Sequence, residues 1–341
     1  MRFDEKKHYK MFVGIDVSKN TLDLGLLDEF GKKKGHKCFK NNSFGFESFL
    51  DWIMTFYSDG DILFCMEYTG IYSRKVQFFL QDAGFDVCME SGYVIRRASG
   101  IVKGKSDKID AYRIANYALS KRYNLKISDH YNKNIPLLHD LLTTRNRLTE
   151  SLKRLQTPIN ELKAFAENEN FQLIYDGCKN AIDGIKQSIL EIDEKIDDLI
   201  DREESWKQNI RIVTTINGIG KIVALWMLVY TVNFKPSLNA RKFASLAGIA
   251  PFTEESGISI RKGAHVSHHS NKLLKGLLHV CAMTAIRNNP TIKMYHLKKK
   301  NEGKKGFVVM NNIKNKLVQT AFALVRSGQV YKSDFVHAKA A

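Results

Sequence analysis

The pattern of apolar and polar positions changes character several times along the first third of the chain. Met11–Asp16 opens with a continuous apolar run that stops at a carboxylate, Asp16, after which Ser18 and Lys19 turn the chain. A short run of this kind predicts a buried strand ending at a site. Thr21–Asp28 (TLDLGLLD) alternates, and Lys33–Lys40 alternates more weakly after a turn at Phe30 and Gly31. Three strands joined by tight turns predict an antiparallel meander. Ser43–Tyr57 carries Phe44, Phe46, Phe49, Leu50, Ile53 and Met54 at helical spacing. Asp61–Glu67 (DILFCME) repeats the plan of the first strand and again closes on a carboxylate. A helix over Tyr72–Ala83, a strand over Phe85–Glu90 and a helix over Ser106–Leu119 complete this part.

Three strands followed by helix, strand, helix, strand, helix is the order of a ribonuclease H-like α/β domain, expected over residues 9–125. Its mixed sheet is antiparallel on one side and built from parallel crossovers on the other. From Asn134 to Ile210 the pattern is helical. Ile182, Ile185, Ile189, Ile192, Ile196 and Leu199 form a heptad seam, and Leu141, Leu148, Leu152, Leu155, Ile159 and Leu162 a looser one. Gly177 and Gly184 interrupt the stretch, so the expectation for 134–208 is an α-helical coiled coil of two helices, within the chain or between copies. Residues 209–332 read as a mainly α-helical third domain. It opens on the Ile216-Asn217-Gly218-Ile219-Gly220 step, which resembles a helix–hairpin–helix turn. A helix over Ala240–Ala247, a turn at Pro251, a polar Glu254–Ser259 stretch and a Ser/His/Lys-rich segment, Arg261–Lys275, follow. Then come a helix over Leu273–Arg287, a lysine-rich loop at Lys298–Lys305, a helix over Asn311–Ser327 and a loose tail from Val330.

Charge sharpens this division. The chain has 341 residues and a net charge of +17, yet residues 207–341 alone hold 22 Lys and Arg against 4 Asp and Glu. So one-sided a domain points to a polyanion, most simply nucleic acid. No apolar run is long enough for a membrane span. The N-terminus lacks the apolar core of a signal peptide, and the five scattered cysteines form no CxxC pair, which suggests a reducing cytosol.

The candidate chemistry lies in the acids. Asp16 and Glu67 each end a predicted strand, and Asp107 and Asp110 share one face at the start of a predicted helix. Converging carboxylates repel unless a cation neutralises them, and hard oxygen ligands select Mg²⁺ or Mn²⁺. Two such ions about 4 Å apart would serve phosphoryl transfer. Asp16, Glu67, Asp107 and Asp110 are therefore the expected metal-binding and catalytic acids. Expected nucleic-acid contacts are Gly218, Gly220 and Lys221, whose turn lets backbone amides approach a phosphate, with Arg261, Lys262, Lys298, Lys299, Lys300, Lys304 and Lys305. Tyr68, Tyr72, Tyr93, Trp226 and Tyr230 are compatible with nucleic acid, although most are expected in the core.

The segments GIDVSK, MEYTG, KSDKIDA, INGIG, GIAP and EESG resemble the DEDD-motif insertion-sequence transposases, RNA-guided recombinases sometimes called bridge-RNA recombinases. The resemblance runs over roughly residues 11–330. It implies a RuvC-like N-terminal domain, a coiled coil and a C-terminal transposase domain, with the four acids as metal ligands. It also implies a nucleophilic serine, matched here by Ser256, with Ser259, Ser267 and Ser270 as rivals. His265, His268 and His269 are candidates for a leaving group or phosphate. Further implications are donor and target DNA, a guide RNA, a homo-oligomer (a dimer assembling to a tetramer), and residence in a prokaryotic cytoplasm at the nucleoid. The alternative is a metal-dependent, structure-selective nuclease like a Holliday-junction resolvase, with water as nucleophile.

Overall fold

Strand β1 (Met11–Val17) buries nearly every side chain, and its neighbours follow from its two faces. A hairpin closed by Ser18, whose N–H donates to Thr21 O at 2.9 Å, returns the chain as β2 (Thr21–Asp28), and β3 (Lys33–Lys40) adds to the far edge. Helix α1 (Ser43–Met54) begins where the Asn42 side chain accepts from Gly45 N, and leads to β4 (Ile62–Glu67). Helix α2 (Ile71–Asp82), strand β5 (Asp86–Glu90), the short helix α3 (Gly92–Ala98) and helix α4 (Asp107–Lys121) follow. The computed structural model describes residues 8–57, 61–100, 104, 106–128, 132–165, 168–256, 260–266 and 270–332. The chain divides into two compact units, Met1–Tyr131 and Asn132–Ala341.

The sheet order is β3-β2-β1-β4-β5, antiparallel among β1, β2 and β3 and parallel across β1, β4 and β5. This is the mixed sheet expected of a ribonuclease H-like domain. Alternation assigns the faces. Met11, Val13, Ile15 and Val17 pack with Phe46, Phe49 and Ile53 of α1 and Val76 and Leu80 of α2. Phe12, with Leu63, Cys65 and Cys88, packs on the other face against Tyr112, Ala115 and Ala118 of α4. Helix α3 is not expected from the sequence, where seven residues around two arginines carry little periodic signal.

The second unit begins with α5 (Asn134–Phe165) and α6 (Asn168–Asp201), which pack side by side. Arg145 Nε and Nη2 grip both oxygens of Asp193 across the pair, at 2.5 and 3.0 Å. The expected interruption at Gly177 and Gly184 is corrected here. Both glycines lie inside α6, where nothing stands within 4 Å of a Cβ built on either, and exposed helix tolerates them. Helix α5 ends at Phe165 and α6 begins at Asn168, and residues 166–167 lie outside the described residues. Leu138 and Leu142 of α5 with Ile196 and Leu199 of α6 share one hydrophobic core with the helices that follow.

Those helices are α7 (Glu204–Thr214), α8 (Lys221–Thr231), α9 (Ala240–Leu246), α10 (Lys272–Asn288), α11 (Pro290–Asn301) and α12 (Gly306–Ser327). Between α9 and α10 stands an antiparallel hairpin, β6 (Pro251–Ser256) with β7 (Ile260–Val266). The sequence pattern predicts a turn at Pro251 and polar loop beyond it; proline is tolerated as the first residue of a strand, and that is its place here. The lysine-rich loop is also corrected: Lys298, Lys299 and Lys300 form the last turn of α11, where cations suit the helix's negative end. The tail is tied at Tyr331, whose N–H donates to Thr215 Oγ1 at 2.9 Å and whose hydroxyl accepts from Asn289 at 2.8 Å. At the exit of α8, Val232, Asn233 and Phe234 all take left-handed φ angles of 50°, 57° and 55°. Asn209 Nδ2 donates to Asn233 Oδ1, Asn233 Nδ2 donates to Ser205 Oγ, Phe234 N donates to Thr231 Oγ1, and Phe234 packs on Phe322.

Candidate active site

Strand register decides which acids meet. Asp16 follows Phe12 and Gly14 on the face covered by α4, and Asp23 of β2 is its paired residue. On the parallel side Phe12 and Gly14 pair with Leu63 and Cys65, so Glu67 continues the same face, and Glu67 pairs with Glu90 of β5. Asp23, Asp16, Glu67 and Glu90 therefore form a row across β2, β1, β4 and β5, on the side where α4 lies.

Helix α4 brings Asp107 and Asp110 from its first turn. Ser106 caps the helix by accepting from Ile109 N, and acids in that turn meet the positive end of the helix. The helix approaches the sheet closely. A Cβ built on Gly14 would lie 2.1 Å from Ala111 O and 2.3 Å from Ala115 N, and one on Gly25 would lie 3.0 Å from Tyr112 N. A glycine at position 14 lets strand and helix backbones touch, and this contact holds the helix acids near Asp16.

The electrostatic result is visible at Asp16. Its pKa is raised from 3.8 to about 6, first by burial and then by the charges of Asp110, Asp107, Asp23 and Glu67. The four acids singled out in the sequence thus share one field, with Asp23 as a fifth member. They do not form a closed ligand set. Among the described residues, no group of three His, Cys, Asp or Glu side chains is arranged to hold a metal ion. Several acids are turned toward protein partners instead. Asp110 Oδ1 lies 2.7 Å from Arg113 Nη2, as an ion pair without hydrogen-bond geometry, and is shielded from solvent. The Glu67 carboxylate sits against Gly92, where a Cβ would come within 1.7 Å of its Oε1. Asp23 Oδ1 is 3.0 Å from His36 Nε2. Glu90 accepts from Ser91 N and from the Tyr117 hydroxyl, each at 2.9 Å, and burial and Glu90 push that hydroxyl's pKa up. Sequence reasoning misses Asp23 and Glu90. The tight turn after Val17 fixes Asp23 opposite Asp16, and Glu90 ends its strand as Glu67 does, so strand pairing is the signal that could have found them.

The remaining predicted residues lie in the second unit. Ser256 ends β6, paired in register with Ile260. Gly257, Ser259, Ser267, His268 and His269 lie outside the described residues, while Ser270 lies beside Gly248. Arg261 and Lys262 are register partners of Glu255 and Glu254, so opposite charges occupy paired positions; His265 pairs with Phe252. Gly218, at φ 109°, packs against α10, where a Cβ would lie 2.7 Å from Cys281 O; Gly220 caps α8 with open space around it. Lys221 is ion-paired with Asp197 of α6, and Lys299 with Glu302 at 2.7 Å. Lys304 and Lys305 are exposed ahead of α12. Trp226 is buried and stacks on Tyr230 with ring centroids 5.6 Å apart, so these two aromatics belong to the core.

Comparison with known proteins gives this arrangement a family. Residues 13–164 match the DEDD transposase domain DEDD_Tnp_IS110, and residues 210–297 match a domain described as Transposase IS116/IS110/IS902 family. The chain is 25% identical over 329 residues to the pilin gene-inverting proteins of Moraxella bovis and Moraxella lacunata, covering 94% of this chain and 98% of each relative. It is 20% identical over 257 residues to the transposase for insertion sequence element IS1533 of Leptospira borgpetersenii, covering 68% of this chain and 72% of that protein. The acid-bearing sheet falls in the first matched segment and much of the helical unit, hairpin included, in the second; the chain belongs to the IS116/IS110/IS902 family of transposases.

Proposed function

We propose that this transposase breaks and rejoins the DNA of a mobile element through Ser256, with Asp16, Glu67, Asp107 and Asp110 as ligands of divalent metal. The observation that carries the reading is the raised pKa of Asp16 amid neighbouring carboxylates. Such a cluster is costly when every member is ionised, and a hard cation offsets that cost. The donors are all oxygen, and the shielded Asp110 Oδ1 lacks a hydrogen bond, so the residues suit Mg²⁺ or Mn²⁺. Bound there, two such ions would neutralise the carboxylates and stabilise charge on a phosphate in transit.

The serine does the covalent work. Its Oγ attacks the phosphorus of a DNA phosphodiester, and the bond from phosphorus to the departing deoxyribose oxygen breaks. That oxygen takes up the proton lost by the serine. The phosphoserine ester keeps the energy of the broken link, so a hydroxyl of another DNA end reseals it by the reverse exchange. The basic surplus of residues 207–341 binds donor and target DNA, and a guide RNA supplies sequence choice by base pairing. The working form in this reading is a homo-oligomer, a dimer assembling to a tetramer, in a prokaryotic cytoplasm at the nucleoid. Rearrangement without net loss of DNA also agrees with the name of the pilin gene-inverting relatives.

The test is a covalent adduct. Full-length protein is incubated with Mg²⁺, the RNA of its element and a plasmid carrying the element's ends, then denatured. Wild type is expected to leave DNA attached to protein, and Ser256→Ala and Asp16→Ala to leave none. Free DNA ends without an adduct would assign the chemistry to water and make the protein a nuclease. An adduct that survives Ser256→Ala would move the nucleophile to another residue.

A further inference from the structure

We propose that Tyr68, Tyr72 and Tyr93 form a stacking platform for unpaired nucleobases of the DNA strand that enters the carboxylate cluster. The proposal rests on the reading of that cluster as the phosphoryl-transfer centre and adds how the strand is held there.

Tyr68 and Tyr93 adjoin Glu67 along the backbone, and Tyr72 is tied to the turn after Asp16. Tyr68 follows Glu67, is 62% exposed, and donates its N–H to Glu90 O at 3.0 Å. Tyr93 follows Gly92, the residue beneath the Glu67 carboxylate, and is 52% exposed. Tyr72 is 40% exposed, and its carbonyl accepts from Asn41 Nδ2 at 3.1 Å; the same amide donates to Ser18 O, in the turn just past Asp16, at 2.8 Å. Ile71, also largely exposed, extends the apolar surface. Tyr9, Tyr112 and Tyr117 of the same unit are instead half-buried or buried. Large rings left exposed at the strand ends that carry a charged centre mark a surface that meets a ligand.

The rings select the ligand chemistry. With metal bound, the acids would take the phosphate of the strand, and the uncharged rings beside them suit its bases. Stacking of a base on an aromatic ring tolerates any sequence. In a duplex the base faces cover one another, so only unpaired bases can use the platform. The strand is DNA because the adjoining acids act on its phosphodiester.

The experiment uses full-length protein in Mg²⁺ and a mixed-sequence single-stranded oligodeoxynucleotide carrying 2-aminopurine and 5-iododeoxyuridine. Its duplex and an oligoribonucleotide of the same sequence serve as comparisons. Wild type is expected to quench 2-aminopurine in the single strand and to cross-link at Tyr68, Tyr72 or Tyr93. Each Tyr→Ala change should weaken single-strand binding by about tenfold with duplex affinity and melting temperature unchanged. Tyr→Phe should restore binding, since the ring rather than the hydroxyl is used. Cross-links found only within residues 207–341, undiminished quenching in the alanine variants, or tenfold preference for RNA would each overturn the proposal. The adduct assay with Asp16→Ala is read separately. Activity retained there would refute the role of the acids, whereas the cross-linking arm judges the tyrosines alone.

Discussion

At Asp16, chemistry and stability pull in opposite directions. Its carboxyl is half-buried among other acids and titrates at about 6 rather than 3.8. A folded-state pKa above the unfolded one means the group favours folding when protonated. That contribution is complete below about pH 4 and is lost as pH rises through about 6. Metal-free protein should therefore lose melting temperature from this group between those values, and Asp16→Asn should flatten the loss. Adding Mg²⁺ should raise the melting temperature of wild type more at pH 7.5 than at pH 5, and of Asp16→Asn little at either. Thermal melts across pH 4 to 8 check this, and parallel curves for the two proteins would contradict it. The solvent-facing part of the carboxyl screens the effect, so the expected changes are modest.

At the scale of elements, the contact between β1 and α4 governs the site. Gly14→Ala puts a methyl into the helix backbone, where no flexible side chain can move aside. It should cost about 1–3 kcal/mol and abolish adduct formation, because the helix acids move away from Asp16. Gly177→Ala is the contrasting case. It fills open space inside α6 and should stabilise by about 0.5–1 kcal/mol with adduct formation unchanged. Denaturant melts paired with the adduct assay separate the two.

Much at this scale could be read in advance. The ranges of β2 and β3 match the expected strands, because the turns at Ser18 and Gly31 bound them plainly. Asp16, Glu67, Asp107 and Asp110 could be read because each sits at an element's end. Asp23 and Glu90 could not, because they show themselves only through pairing with a neighbouring strand. The hairpin β6–β7 was hidden by polar residues that read as loop, and Gly177 and Gly184, which read as breaks, lie inside α6.

On the scale of the whole molecule, charge is divided between the parts. The surplus of basic residues lies in 207–341, while the sheet edge gathers acids. DNA affinity should fall steeply as salt rises. Replacing exposed lysines such as Lys304 and Lys305 with Gln should make that fall shallower, its slope dropping by about 1 for each phosphate no longer neutralised. Titrations at several salt concentrations check it, and an unchanged slope would place the phosphate-binding cations elsewhere. The helical unit has a second whole-molecule property, its single core running from Ile135 to Phe322.

The corner at Val232, Asn233 and Phe234 bears on that property. No local preference favours three such residues in a left-handed path, since a branched side chain resists it at the first step. The corner is held by Asn209 and Ser205 arriving from upstream and Phe322 from far downstream. Contacts from both directions along the chain thus hold a backbone that its own residues would not choose, and the path between α8 and α9 depends on how α7 and α12 pack around it.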